Sequence, residues 1–138
     1  VFHVINDLEQ IGDHAIKILV QTEKCVEMGQ AYSQAAQDEL RQIYQMDMDL
    51  LDKTMKLVRG QRPTPESWLD MKLQERTITK LAVKAQSNHM ERLQEKTCTF
   101  EQGLTFIESL NSLTRIVNHV MNIAEASGSE LLLNTARE

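Results

Sequence analysis

Glu9 and Asp13 lie four residues apart, and Asn6 stands three before Glu9. On a helix that spacing puts both carboxylates and the amide on one face. Hard cations take oxygen ligands, so such a stripe can supply part of a metal site. One pair leaves most of a coordination sphere to other donors, so the expectation is a single weakly held divalent or iron-type ion at Glu9 and Asp13. The competing reading is a solvated acidic face that stabilises the helix. The four histidines, His3, His14, His89 and His119, are spread over three segments. The Glu-x-x-His motif of di-iron sites in bundle cores does not occur. Neither a glycine-rich phosphate loop nor a Gly-x-Ser-x-Gly elbow is present. No nucleophile has a plausible base, so the expectation is no catalysis, no catalytic residue and no resident cofactor. A metal-dependent enzyme using Glu9 and Asp13 is the rival.

The acidic pair sits inside a sequence that occurs twice. Residues 5–18 and 110–123 align at a constant offset, with identities at Asn6/Asn111, Leu8/Leu113, Ile11/Ile116, His14/His119 and Ile18/Ile123. The second copy carries Thr114 and Asn118 where the first has Glu9 and Asp13. A repeat that keeps its apolar skeleton and loses its charges reads as a duplicated helix with one copy chemically silenced.

The elements that must position these residues are helical. A chain of 138 residues with net charge −5 is one domain with room for a core. It has no basic block, which argues against nucleic acid. Aromatics are 4% of residues and only two are Pro, so long stretches run without a breaker. No apolar run reaches the ~18 residues of a membrane span, and no signal peptide opens the chain. Cys25 and Cys98 read as free thiols of a reducing compartment. The chain begins at Val1 inside an apolar seam, as expected of a fragment.

Gly29, Gly60 and Gly128 each follow a periodic segment and read as helix stops. Four helices are expected, about 1–28, 31–59, 65–96 and 100–127, with a tail at 128–138. The first has its seam at Val1, Ile5, Leu8, Gly12, Ala15, Leu19 and Val26. The second has Ala36, Ile43, Leu50 and Leu57, widened by Leu51 and Val58 and interrupted by Asp47 and Thr54. Thr64 and Pro65 open the third, whose stripe is Leu69, Leu73, Ile78, Leu81, Ala85 and Met90. Thr99 and Gln102 have capping-box spacing and open the fourth. Its seam, Gly103, Phe106, Leu110, Leu113, Val117, Val120 and Ala124, repeats that of the first. Helices of about 28 residues, roughly 42 Å long and joined by short loops, must run antiparallel and share a core. The fold class is therefore all-α, an antiparallel four-helix bundle.

The stretch Asn6-Asp-Leu-Glu-Gln-Ile-Gly-Asp-His14 resembles the signature helix of the PhoU family. Leu113-Thr-Arg-Ile-Val-Asn-His119, running on through Asn122-Ile-Ala-Glu125, resembles the same helix in that family's second repeat. His89, Arg92, Leu93, Cys98, Gly103, Arg115, His119 and Asn122 are together similar to the PhoU-like cytoplasmic tail of bacterial sodium/phosphate cotransporters. The resemblance implies a pair of three-helix bundles, of which this chain holds the last helix of the first and all of the second. It also implies metal clusters on paired Glu/Asp-x-x-x-Asp motifs. Glu9 and Asp13 match one such motif. In the other bundle only Glu75 matches, with Thr79 four residues on, and Thr114 and Asn118 depart from the pattern, so too little charge remains for a multinuclear cluster.

What the resemblance implies for function is a non-catalytic regulatory or interaction domain of a sodium-dependent phosphate transporter, on the cytoplasmic face of the inner membrane. Its family-signature residues are His14, His89, Arg92, Cys98, His119 and Asn122. Its expected partners are the transporter's membrane domain and a second copy, joined through helix faces such as the seam of Val1, Ile5 and Leu8. The fragment itself is expected to be soluble and not to insert into the membrane. The alternatives are a free-standing PhoU-type regulator of phosphate uptake and signalling with weak metal binding, and a plain structural module.

Overall fold

A computed structural model describes residues 2–135, with side chains described for 3–128. Four helices account for nearly all of it: α1 Phe2–Glu27, α2 Gln34–Val58, α3 Pro65–Gln94 and α4 Phe100–Thr135. The described residues contain no strand. The all-α bundle expected from the sequence is what forms.

Local chemistry sets most helix ends. Gly29 and Gly60 take positive φ, of 62° and 88°. Each closes its helix by donating to the carbonyl three residues back, while the next residue donates five back. This left-handed cap favours Gly because it has no Cβ. Thr64 accepts from the Ser67 amide at 3.1 Å and Ser67 Oγ accepts from the Thr64 amide at 2.9 Å, closing a capping box before Pro65. Thr99 and Gln102 close the second box as their spacing predicts. α2 starts later than expected, at Gln34, because Ser33 caps it by accepting from the Ala36 amide.

Gly128 is not a stop. α4 runs through it to Thr135. The ring of Trp68 lies 3.2 Å from where a Cβ would stand, so this glycine makes room for α3 rather than a turn.

The turn after α3 repeats the glycine cap with the wrong residue, since Lys96 occupies it at φ 57°. Lys96 donates to the Leu93 carbonyl, and Thr97 to that of Arg92. A left-handed L-residue costs roughly 1–2 kcal/mol, part of which Gly loses again in unfolded-state entropy. Lys96→Gly is therefore expected to stabilise the protein by about 0.5–1 kcal/mol, read as a higher urea midpoint at unchanged slope.

α4 is the central helix. It packs with α1, α2 and α3, whereas α1 packs along α4 and not along α2 or α3. Phe106, Leu110, Leu113, Val117, Val120, Met121 and Ala124 bury its seam against Ile43, Leu50 and Leu57 of α2 and Met71, Ile78 and Ala85 of α3. Ile116 and Ile123 bury its other side. A helix buried on all but one line of residues, Glu108, Asn111, Arg115, Asn118 and Glu125 among them, is what a central position requires. Chain neighbours run antiparallel. Lys53 reaches Asp70 across α2 and α3 at 2.8 Å, and Lys72 pairs with Glu125 across α3 and α4. α2 and α4 consequently run parallel.

Two expected stripes fall differently. In α3, Met71, Ile78, Ala82, Ala85 and His89 are the buried line, while Leu69, Leu73 and Met90 are exposed. The apolar stems of α3 were spread round the helix, and contact with two neighbours selects only one line. In α2, Asp47 and Thr54 do not interrupt the seam but belong to it. They are 2% and 0% exposed, and neither side chain has a hydrogen-bond partner. Burial pushes the Asp47 carboxyl up from 3.8 to about 8.

The seam of α1 is also turned. Ile5, Leu8, Leu19 and Val26 face outward, together with Ile16 and Val20. Val1 lies outside the described residues. The line laid on α4 holds Asp7, His14, Gln21 and Cys25, with the partly buried Ile11 and Ile18 between them.

Candidate functional site

The identities of the repeat explain that placement. Ile11/Ile116, His14/His119 and Ile18/Ile123 all lie on the α1–α4 interface. The two copies run antiparallel, so equivalent faces meet about a local two-fold axis. The rings of His14 and His119 stack there, 5.8 Å apart and inclined by 23°. Each copy thus sees its own counterpart on this face. On the seam face their surroundings differ: Leu110, Leu113 and Ala124 are buried, and their equivalents Ile5, Leu8 and Leu19 are not.

Asp7 is the residue that the spacing argument overlooked. It is buried, and its Oδ1 lies 2.8 Å from His119 Nδ1 and 3.4 Å from Asn122 Nδ2. A carboxylate only accepts, so the Nδ1 hydrogen of His119 points at it. The signal available was its place seven residues before His14 and fourteen before Gln21, on one helix line. Across the ring stack, His14 Nδ1 is buried without a partner. Burial holds the pKa of His14 below 6.5, helped by its coulombic interactions with Lys17, His119 and Arg115.

Glu9 and Asp13 stand on α1 away from this interface. Both are exposed, as is Asn6. Among the described residues no group of three or more His, Cys, Asp or Glu side chains is gathered that could hold a metal ion. The acidic pair therefore has no third His, Cys, Asp or Glu side chain gathered beside it among the described residues.

The remaining signature residues meet elsewhere. His89, Arg92, Cys98 and Gly103 line one cavity of about 170 Å³ at the end of the bundle where α2 and α4 begin. Arg92 forks onto Glu39, with Nη2 2.9 Å from Oε2 and Nη1 3.3 Å from Oε1. Asn88 donates to the same carboxylate at 2.7 Å. The guanidinium carbon lies 5.2 Å from the centre of the Phe106 ring. His89 stacks on the same ring at 5.2 Å. Its pKa is lowered by burial and then by Arg92, so the imidazole is neutral at pH 7. Gly103 is what admits it, since a Cβ there would stand 2.7 Å from His89 Cε1.

The six signature residues thus resolve into two sites. His14, His119 and Asn122 hold α1 on α4, and His89, Arg92 and Cys98 build the end cavity. About fifteen residues of α4 separate them, roughly 22 Å along the axis. No helix of the described residues is long and apolar enough to cross a membrane. Comparison with protein-family models, with curated proteins and with solved structures gives no match.

Proposed function

We propose that the chain is a non-catalytic regulatory or interaction domain of PhoU-like type, acting on a sodium-dependent phosphate transporter from the cytoplasmic face of the membrane. One observation carries the interaction part of this reading. α1 and α4 are repeats with matching seams, and the seam of α4 is covered by α2 and α3. That of α1 is bare, with Leu19 63% and Val26 75% exposed. Six large apolar side chains aligned on one exposed helix form a surface for another protein rather than for water. The phosphate link rests on the resemblance of the two repeats and of the His89–Asn122 pattern to transporter tails.

The test begins with the coding sequence ahead of Val1, where apolar spans of about 20 residues are expected. Phosphate uptake by the full polypeptide carrying Leu19→Glu and Val26→Glu is then expected to differ from that of the parent. A reading frame without spans redirects the proposal to the free-standing regulator. Unchanged uptake removes the regulatory role.

The same surface makes a prediction for residues 1–138 alone. Light scattering is expected to give a dimer at high concentration, and Leu19→Glu with Val26→Glu is expected to return the monomer. A monomer at every concentration counts against self-association through α1.

A further inference from the structure

The end cavity has features that the docking role of α1 does not use. α2 and α4 are parallel, so both begin at this end of the bundle, and both carry the positive end of a helix dipole there. α1 and α3 end here, and several of their last carbonyls are taken within their own turns: Gly29 and Gln30 donate to those of Val26 and Cys25, Lys96 and Thr97 to those of Leu93 and Arg92. No carboxylate lines the cavity. Glu39 engages Arg92 from outside it and takes two of the five guanidinium hydrogens. Ser33 accepts from the Ala36 amide and keeps its own hydroxyl hydrogen free. His89 is only 3% exposed and lines the cavity, yet its ring nitrogens have no hydrogen-bond partner among the described residues. A neutral imidazole keeps one N–H, and no protein group among the described residues takes it here, so that hydrogen is available to whatever occupies the cavity.

We infer that this cavity binds a small free tetrahedral oxyanion of the phosphate class, held by Ser33, His89 and Arg92. Each of the three brings at least one uncommitted donor, and the two helix starts add partial positive charge. The volume decides the size of the ligand. Drug-sized and nucleotide-sized ligands take about 300–1,000 Å³, so 170 Å³ admits an ion with little attached. The occupant is an anion rather than a metal, because the cavity holds the Arg92 guanidinium and only two side chains that ligate metals well, His89 and Cys98, short of the three or more such side chains of a metal site. This inference is argued from the cavity's geometry, whereas the transporter reading rests on the face of α1 and on the resemblance of the repeats and of the His89–Asn122 pattern.

The test is a titration of residues 1–138 with sodium phosphate against sodium chloride at matched ionic strength, followed by amide and imidazole NMR shifts. Saturable shifts at Ser33, His89 and Gly103 with phosphate alone are expected. His89→Phe keeps the stack on Phe106 and removes the donor. It and Ser33→Ala are each expected to weaken phosphate at least tenfold while unfolding stays cooperative. Gly103→Ala, which drives the ring from its seat, is expected to do the same. Glycerol phosphate in a parallel arm is expected to bind more weakly than the free ion. Identical phosphate and chloride titrations overturn the inference, as does phosphate binding undiminished in His89→Phe with Ser33→Ala. Tighter binding of the ester overturns the free-ion form. A failure here leaves the bare seam of α1, and the regulatory reading built on it, untouched.

Discussion

Asp47→Leu is expected to raise the unfolding free energy by about 4 kcal/mol at pH 7. The reason is the gap between an ordinary carboxyl near 3.8 and one pushed up to about 8 by burial. At about 1.4 kcal/mol for each pH unit, holding a proton on Asp47 at pH 7 costs a few kcal/mol that an apolar side chain does not incur. The sign follows from proton counting. Between pH 4 and 8 the folded chain holds a proton that the unfolded chain has released. The stability contributed by Asp47 is therefore complete below pH 4 and declines as pH rises through 8. Lys53, Asp49 and Asp70 are tied to one another outside the core and do not neutralise it. The same series of urea melts from pH 4 to 9 checks both claims. The parent should lose stability with rising pH over that window, and Asp47→Leu should flatten the slope. Asp47→Asn should also flatten it but gain less, because an amide there remains unpaired at a cost of about 1–3 kcal/mol. A parent whose stability does not change between pH 5 and 8 would remove the argument.

Asp47 also shows where the sequence was legible and where it was not. Helix ends were readable because caps are local: Thr64 with Ser67, and Thr99 with Gln102, act through neighbours a few residues away. The seam of α4 was readable because that helix is buried on almost every face and its apolar residues had one place to go. α1 was harder. Its apolar line suggested the packed face, but α4 offers α1 a partly polar surface, with Ser109, Ser112 and His119 among its residues. Asp7 bonds to His119 and Asn122 and the ring of His14 stacks on that of His119, so these contacts rather than the apolar line fix the rotation of α1. Spacing in one helix cannot reveal what the opposite helix presents. Glu9 and Asp13 were conspicuous for the same reason that they are isolated. They are charges on the outer face, while the acid that finds partners, Asp7, lies one turn-line away. Gly128 misled because glycine serves close approach as well as turning, and only Trp68 distinguishes the two.

Because α1 is fixed to α4 alone, the His14–His119–Asp7 group is expected to govern whether it stays docked. Asp7→Ala should weaken the attachment by about 1.5–3 kcal/mol, the range for a hydrogen bond to a charged group whose partner is left buried. His14→Leu should act oppositely, since it replaces an imidazole whose Nδ1 has no partner with a side chain that needs none. pH acts in the same direction as Asp7→Ala. The pKa of His14 lies below that of the unfolded chain, so the unfolded or undocked helix takes up a proton first. The stability due to neutral His14 is complete above pH 6.5 and is lost as pH falls through the folded value. The groups around it set the balance: Lys17, His119 and Arg115 oppose a charge on His14, and Asp13 favours one. Hydrogen exchange separates this local event from global unfolding. Amides of residues 7–21 are expected to exchange faster at pH 5 than the intrinsic rate explains, while those of 113–124 in α4 keep their protection. In His14→Leu the acid-induced opening of α1 should disappear, and in Asp7→Ala it should already be present at pH 7. Uniform loss of protection across all four helices at pH 5 would show instead that α1 and the three-helix core come apart together.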